Sequence, residues 1–231
     1  MPGPLDYFVW IICTLLEGAV VVCALRRHSF RRYLFLNLYM GSSFLVSVGR
    51  YQVLSHYGIG SREYAFFYFY SDALLTIGLY FALLNLYSLV FDEMKVEGYL
   101  RIGAILLLGG MAWFSYAVVQ QSSSRIMSNF AYELSQNLYF VGLVLTYALW
   151  GAILKLRETR ARLIQLVLGL GVYFSAFAAN YALQNLYPNI TALHYVAPLL
   201  GCILPAAWAY TFLRVSEEQR LAPARLAAVS R

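Results

Sequence analysis

The chain has 231 residues, 61% of them hydrophobic and only 12% charged, with a mean hydropathy of +0.63. Ordinary soluble domains carry about 45–50% apolar and about 25% charged residues, so this composition excludes a soluble globular domain and predicts an all-α integral membrane protein. The net charge of +6 does not point to nucleic acid, because the basic residues lie in short segments between apolar runs, where they set orientation in a bilayer.

A membrane-crossing helix needs about 20 mostly apolar residues. Seven runs qualify, at about 7–25, 33–55, 65–90, 99–120, 131–154, 163–186 and 193–213, and together they predict a single seven-helix transmembrane domain over residues 1–231. Ahead of span one, Met1 to Asp6 lacks the basic region of a cleavable signal peptide, so this run is expected to persist as a span. It carries Glu17 near the midplane. Span two brings Arg50 and Tyr51 close to its far end, and Gly58-Ile59-Gly60-Ser61 then breaks the chain.

Span three opens on the aromatic run Phe66 to Tyr70 and holds Asp72 about 10 Å below its start, at 1.5 Å of rise per residue. Tyr68, Asp72 and Thr76 follow one another at i, i+4 spacing and share a face. Span four, from Ile102 to Tyr116, has no ionisable residue within it and is expected to be the most lipid-exposed. Gln120 to Ser124 forms the next break. Span five enters with Glu133, Gln136 and Asn137. Span six passes Tyr173, Asn180 and Gln184 before the Tyr187-Pro188-Asn189 break, where Asn189-Ile190-Thr191 also matches a glycosylation acceptor pattern. Span seven starts at His194 and contains Pro198 and Pro205, which permit kinks. No internal repeat emerges, and residues 214–231 form a short basic tail.

Orientation follows from Lys and Arg. Arg26, Arg27, Arg31, Arg32, Lys95, Arg101, Lys155, Arg157, Arg160, Arg162, Arg214, Arg220, Arg225 and Arg231 all fall on one side, which is 14 of the 17 basic residues. The expected topology has the N-terminus outside and the C-terminus in the cytoplasm. Short loops with this bias suit a bacterial inner membrane.

On that topology Asp72, Arg50, Glu133, Asn137, Asn180, Gln184 and His194 share the outer half of the membrane, with Tyr68 above Asp72 and Thr76 and Glu17 deeper. A charge at mid-membrane costs roughly 2.5–3.5 kcal/mol or more, so such residues pair, protonate or line a site. Arg50 is the expected partner of Asp72. Cys13, Cys23 and Cys202 all lie within apolar runs and form no CxxC, which predicts free buried thiols and neither a disulfide framework nor a zinc site. His28, His56 and His194 form no metal motif, and no nucleophile motif accompanies them, so an enzyme is not supported.

The segment Tyr70-Ser71-Asp72-Ala73-Leu74-Leu75-Thr76 resembles the third helix of microbial rhodopsins, in which an Asp counter-ion is followed four residues later by Thr. That resemblance implies a Schiff-base Lys in the seventh helix. The only lysines here are Lys95 and Lys155, both outside the spans, so a retinal Schiff base is excluded and no cofactor is expected. The signatures of G-protein-coupled receptors, Asp-Arg-Tyr after span three and Asn-Pro-x-x-Tyr in span seven, are absent.

Two functional readings remain open. In the first, the protein binds a small amphipathic or aromatic ligand in a polar, Tyr-lined pocket in the outer half, for sensing or transport. In the second it is a structural or accessory subunit of a larger membrane assembly, or a homo-oligomer. Its intramembrane polar groups would then act as glue between helices, at about 0.6 kcal/mol each.

Overall fold

The computed structural model describes residues 4–27, 29–91, 97–120, 126–187 and 192–216. His28, Lys95, Arg125, the Asn189-Ile190-Thr191 pattern and the tail from residue 217 onward lie outside them. The described residues form eight helices and no strands: α1 (Pro4–Arg26), α2 (Leu34–Tyr57), α3 (Arg62–Val90), α4 (Glu97–Gln120), α5 (Ile126–Lys155), α6 (Ala161–Leu186), α7 (Ala192–Gly201) and α8 (Ile203–Arg214). Four segments are long and apolar enough to cross a membrane, namely Tyr7–Arg26, Arg62–Val90, Glu133–Lys155 and Ala161–Leu186. Of the remaining helices, α2 is diluted by Ser42, Ser43, Ser47, Arg50 and Gln52, α7 and α8 have only 10 and 12 residues, and α4 contains a shorter apolar segment at Leu106–Ala117.

The helix ends have local causes. Gly58 closes α2 with φ 79°, a left-handed value that glycine adopts without a Cβ clash, and its N–H donates to Leu54 O. Three residues later Ser61 caps α3, its hydroxyl accepting from the Tyr64 N–H at 3.0 Å. The break between α7 and α8 traces to Pro205. A proline clashes with the carbonyl four residues back and cannot donate to it, and here that carbonyl belongs to Gly201. Cys202 instead bonds back to Leu199 O, and the helix restarts with Ala206 N–H to Cys202 O.

In sequence of contact the bundle is a ring, α1–α2–α3–α5–α6–α8, with α8 closing against α1 and α7 lying between α6 and α1. Helix α4 stands outside that ring, packed on α5 and more lightly on α3. Its Ile102, Leu106 and Trp113 are largely exposed, which is compatible with contact between its uncharged middle stretch and hydrocarbon.

One end of the ring is filled by an apolar core of Leu79, Leu83, Leu86, Leu166, Leu170, Phe174, Trp208 and Phe212. Arginines secure that same end by capping carbonyls that helix termini leave without donors. Buried Arg162 donates through Nε and Nη2 to Val215 O, at 2.9 and 2.6 Å, and through Nη1 to Ser29 Oγ. Arg27 Nη2 reaches Leu213 O, and Arg160 Nη2 reaches Leu89 O at the close of α3. Arg160 also pairs with Glu158 in the α5–α6 connection, and that hydrogen bond holds the Glu158 carboxyl down at about 2.

The cysteines correct the sequence expectation. Cys13 of α1 and Cys202, at the α7–α8 break, form a disulfide with Cα atoms 5.0 Å apart, and Cys23 is free. Cys13 and Cys202 were expected to be free thiols because each lies within an apolar run and no CxxC joins them; 189 residues separate the two. Ring closure makes their helices neighbours.

Candidate functional site

Away from the basic end, the ring encloses charged groups where an apolar core would be expected. Arg50 is their centre. Its Nε and Nη2 donate to Ser71 Oγ at 3.0 and 2.9 Å, and Nη2 also donates to Tyr68 O at 3.2 Å. Its guanidinium lies 4.3 Å from the centroid of the Tyr68 ring, a cation–π arrangement. Asp72 Oδ1 lies 3.7 Å from Nη2, too long for a hydrogen bond and close enough for a charge pair. The pair is not sealed: the two side chains remain 17% and 31% exposed, Arg50 and Asp72 respectively.

The stretch Tyr68–Asp72–Thr76 follows one face of α3, but its members do different work. Thr76 is buried and its hydroxyl donates to the Asp72 backbone carbonyl at 2.9 Å, so it does not bind the carboxylate. On the α1 side, buried Glu17 accepts from Ser43 and Ser47, at 2.5 and 3.1 Å. Ser43, Ser47 and Arg50 sit at i, i+4 and i+7 on α2. That single stripe therefore serves Glu17 and Asp72 from the same helix, and Arg50 lies within electrostatic reach of Glu17.

Buried tyrosines from three helices lie near these groups. Tyr139 of α5 stacks on Phe177 of α6 with centroids 4.9 Å apart, and its hydroxyl meets that of Tyr173 at 3.3 Å. Tyr39 of α2 lies within electrostatic reach of both carboxylates. Tyr39, Tyr139 and Tyr173 are all buried. Tyr173 was noted only in passing along span six and Tyr39 and Tyr139 not at all, because 20 tyrosines spread over the chain give no contrast. The serines had a usable signal, namely the i, i+4, i+7 spacing to Arg50.

The remaining expected site residues divide. Asn180 is buried on α6 at 4% exposure, and its Oδ1 has no hydrogen-bond partner. Asn137 turns to the outside of the ring and donates to Ser115 Oγ of α4 at 3.0 Å, so it fastens the peripheral helix. Glu133 and Gln184 are half-buried. His194 belongs to α7, and its side chain is outside the described residues.

Two cavities are prominent, and neither is lined by Asp72, Arg50, Glu133, Asn180 or Gln184. A groove of about 630 Å³ runs between α5 and α6, walled by Tyr147, Trp150, Leu168 and Val172. A cleft of about 450 Å³ opens between α2 and α3, lined by Val53, Tyr57, Arg62, Glu63, Phe66 and Phe67. Val53 and Tyr57 follow Arg50 by three and seven residues, and Phe67 and Glu63 precede Ser71 by four and eight. The cleft therefore lies on the seam that holds Arg50, one to two turns beyond it. Among the described residues no group of three His, Cys, Asp or Glu side chains could hold a metal ion.

Compared with known proteins, the chain matches no family model, and neither the curated proteins nor the solved structures give a match.

Proposed function

We propose that this protein is a seven-span membrane protein that binds a small amphipathic or aromatic ligand at the Arg50–Asp72–Glu17 cluster, in a sensing or transport role without catalysis. Helices α1 to α6 each make one span in this reading, and α7 with α8 makes a seventh, broken span. The basic end faces the cytoplasm by the positive-inside rule, which puts the N-terminus and the cluster toward the outer side, in a bacterial inner membrane.

The observation that carries the reading is the partly uncovered ion pair. Polar groups that serve only as glue gain most when wholly enclosed between helices. Here a guanidinium and a carboxylate stay 17% and 31% exposed, while Ser43, Ser71, Tyr39, Tyr139 and Tyr173 around them are buried. Intramembrane charges facing an accessible space mark ligand or ion sites. The α2–α3 cleft provides an approach from the outer end, and apolar walls with a few convergent polar groups are the usual make-up of ligand sites in helical bundles.

Native mass spectrometry of the protein extracted from its own membrane into nanodiscs tests this. The expected spectrum carries one additional small-molecule mass on the wild type, lost in Asp72→Asn and Arg50→Gln. A wild type free of any small molecule and bound stoichiometrically to another membrane protein refutes the ligand reading and establishes the accessory-subunit alternative.

A further inference from the structure

The chemical class of the ligand follows from what the cluster lacks. Among the described residues it contains two carboxylates, Glu17 and Asp72, and one guanidinium, Arg50. Glu17 accepts hydrogen bonds from two neutral serine hydroxyls, with Arg50 within electrostatic reach. Arg50 is already committed to Ser71, Tyr68 and Asp72, so with both carboxylates ionised the cluster holds one positive charge against two negative ones. It is short of donors as well. Asn180 Oδ1 is buried without a hydrogen bond. Ser135, fully buried on α5, approaches the Asp72 carboxyl, yet its Oγ reaches no partner in hydrogen-bonding geometry.

These acceptors share a level. Tyr139 stacks on Phe177 across the antiparallel pair α5 and α6, so one turn outward Ser135 stands opposite the region of Asn180 and Tyr181. Inside hydrocarbon an acceptor without a donor costs several kcal/mol by transfer estimates, and an excess charge costs more. The rings of Tyr39, Tyr139 and Tyr173 lie within electrostatic reach of Asp72, and Tyr39 also of Glu17, and their electron-rich faces attract cations.

Resting on the ligand-binding reading above, we infer that the site takes a small organic ammonium, a protonated amine carried on an apolar or aromatic body. An ammonium has three donors and no acceptor, which is what Asp72, Ser135 and Asn180 are missing. It also balances the charge of the ionised carboxylates, and the neighbouring Tyr rings suit a cation. An anion meets the opposite conditions. It would have to take Arg50 from Asp72 and would then face Glu17 at close range.

Three probes with one skeleton separate these possibilities: phenethylamine, 2-phenylethanol and phenylacetate, each titrated calorimetrically against the full chain in zwitterionic nanodiscs. Phenethylamine is expected to bind at least tenfold more tightly than the other two, to weaken tenfold or more in Asp72→Asn, and to recover in Asp72→Glu. The wild-type preference alone decides the matter if a variant fails to fold. Preferential binding of phenylacetate, lost in Arg50→Gln, overturns the ammonium assignment and leaves the ligand site standing. Equal binding of phenylethanol and phenethylamine does the same. Absence of binding by all three to well-folded protein at millimolar concentration overturns both.

Discussion

Gly142 gives the sharpest test of the packing that holds the tyrosines in place. It sits on α5 against α6, and a Cβ added there would lie 2.8 Å from Phe174 Cδ1 and nearer still to Cε1 and Cζ. Carbon atoms in contact prefer about 3.5–4.0 Å, so the ring must retreat by close to an ångström. Phe174 has little room for that, being 1% exposed and in edge contact with the rings of Tyr139 and Tyr173. Overpacking of this kind costs about 1–3 kcal/mol, so Gly142→Ala is expected to destabilise the bundle by that amount. Gly151, about two and a half turns along the same helix, has open space around its Cβ position. Gly151→Ala should therefore gain helix propensity, up to about 1 kcal/mol. Unfolding by SDS titration from mixed micelles, followed by circular dichroism, reads both. Phe174→Leu in the Gly142→Ala background should recover part of the loss. If Gly142→Ala unfolds at the wild-type SDS fraction, the close approach of α5 to α6 is wrong, and with it the seating of Tyr139 beside Tyr173.

Other expectations concern the charges and the covalent link. Removing one partner of a buried ion pair costs about 3–5 kcal/mol, and partial exposure reduces that here. Arg50→Met alone should still destabilise more than Arg50→Met with Asp72→Leu, and a double-mutant cycle that shows no coupling would contradict the pairing. In protein denatured without reductant, maleimide should label Cys23 alone, rising to three cysteines after reduction; three labels without reductant would remove the Cys13–Cys202 bond. The depressed Glu158 carboxyl stabilises the folded state fully above its ordinary pKa of 4.5, and that contribution disappears as pH falls from there toward 2. The thermal-midpoint gap between wild type and Glu158→Gln should close over that window, and a gap independent of pH would refute the Arg160 pairing.

Much of the helical layout was legible in the sequence because apolar runs and Gly or Pro breaks are local signals. The predicted run at 65–90 lies within α3, and that at 163–186 lies within α6. Span four could be placed outermost simply from its lack of ionisable residues. The disulfide was missed because cysteines inside apolar runs without a CxxC read as free thiols, although depth offered a clue. Cys13 and Cys202 each lie several residues in from the same predicted side, and comparing depths across spans would have matched them. Asn137 was grouped with Asp72 by depth alone. Depth carries no angular information, and Asn137 turns toward α4. Arg162 counted only as a topology signal, whereas its guanidinium ties three parts of the chain together at Ser29 and Val215.

Ring closure has a consequence for biogenesis. The partner of α1 on one side is α2, synthesised at once, but its other neighbours are α7 and α8, the last helices made. At about 5–20 residues per second, the roughly 180 residues between the end of α1 and the start of α8 take about 10–35 s to translate. Throughout that interval Glu17 has its serines from α2, while Cys13 has no partner. The first helix to be made is among the last to be fully seated, and chains released before residue 202 lack the bond that completes the ring.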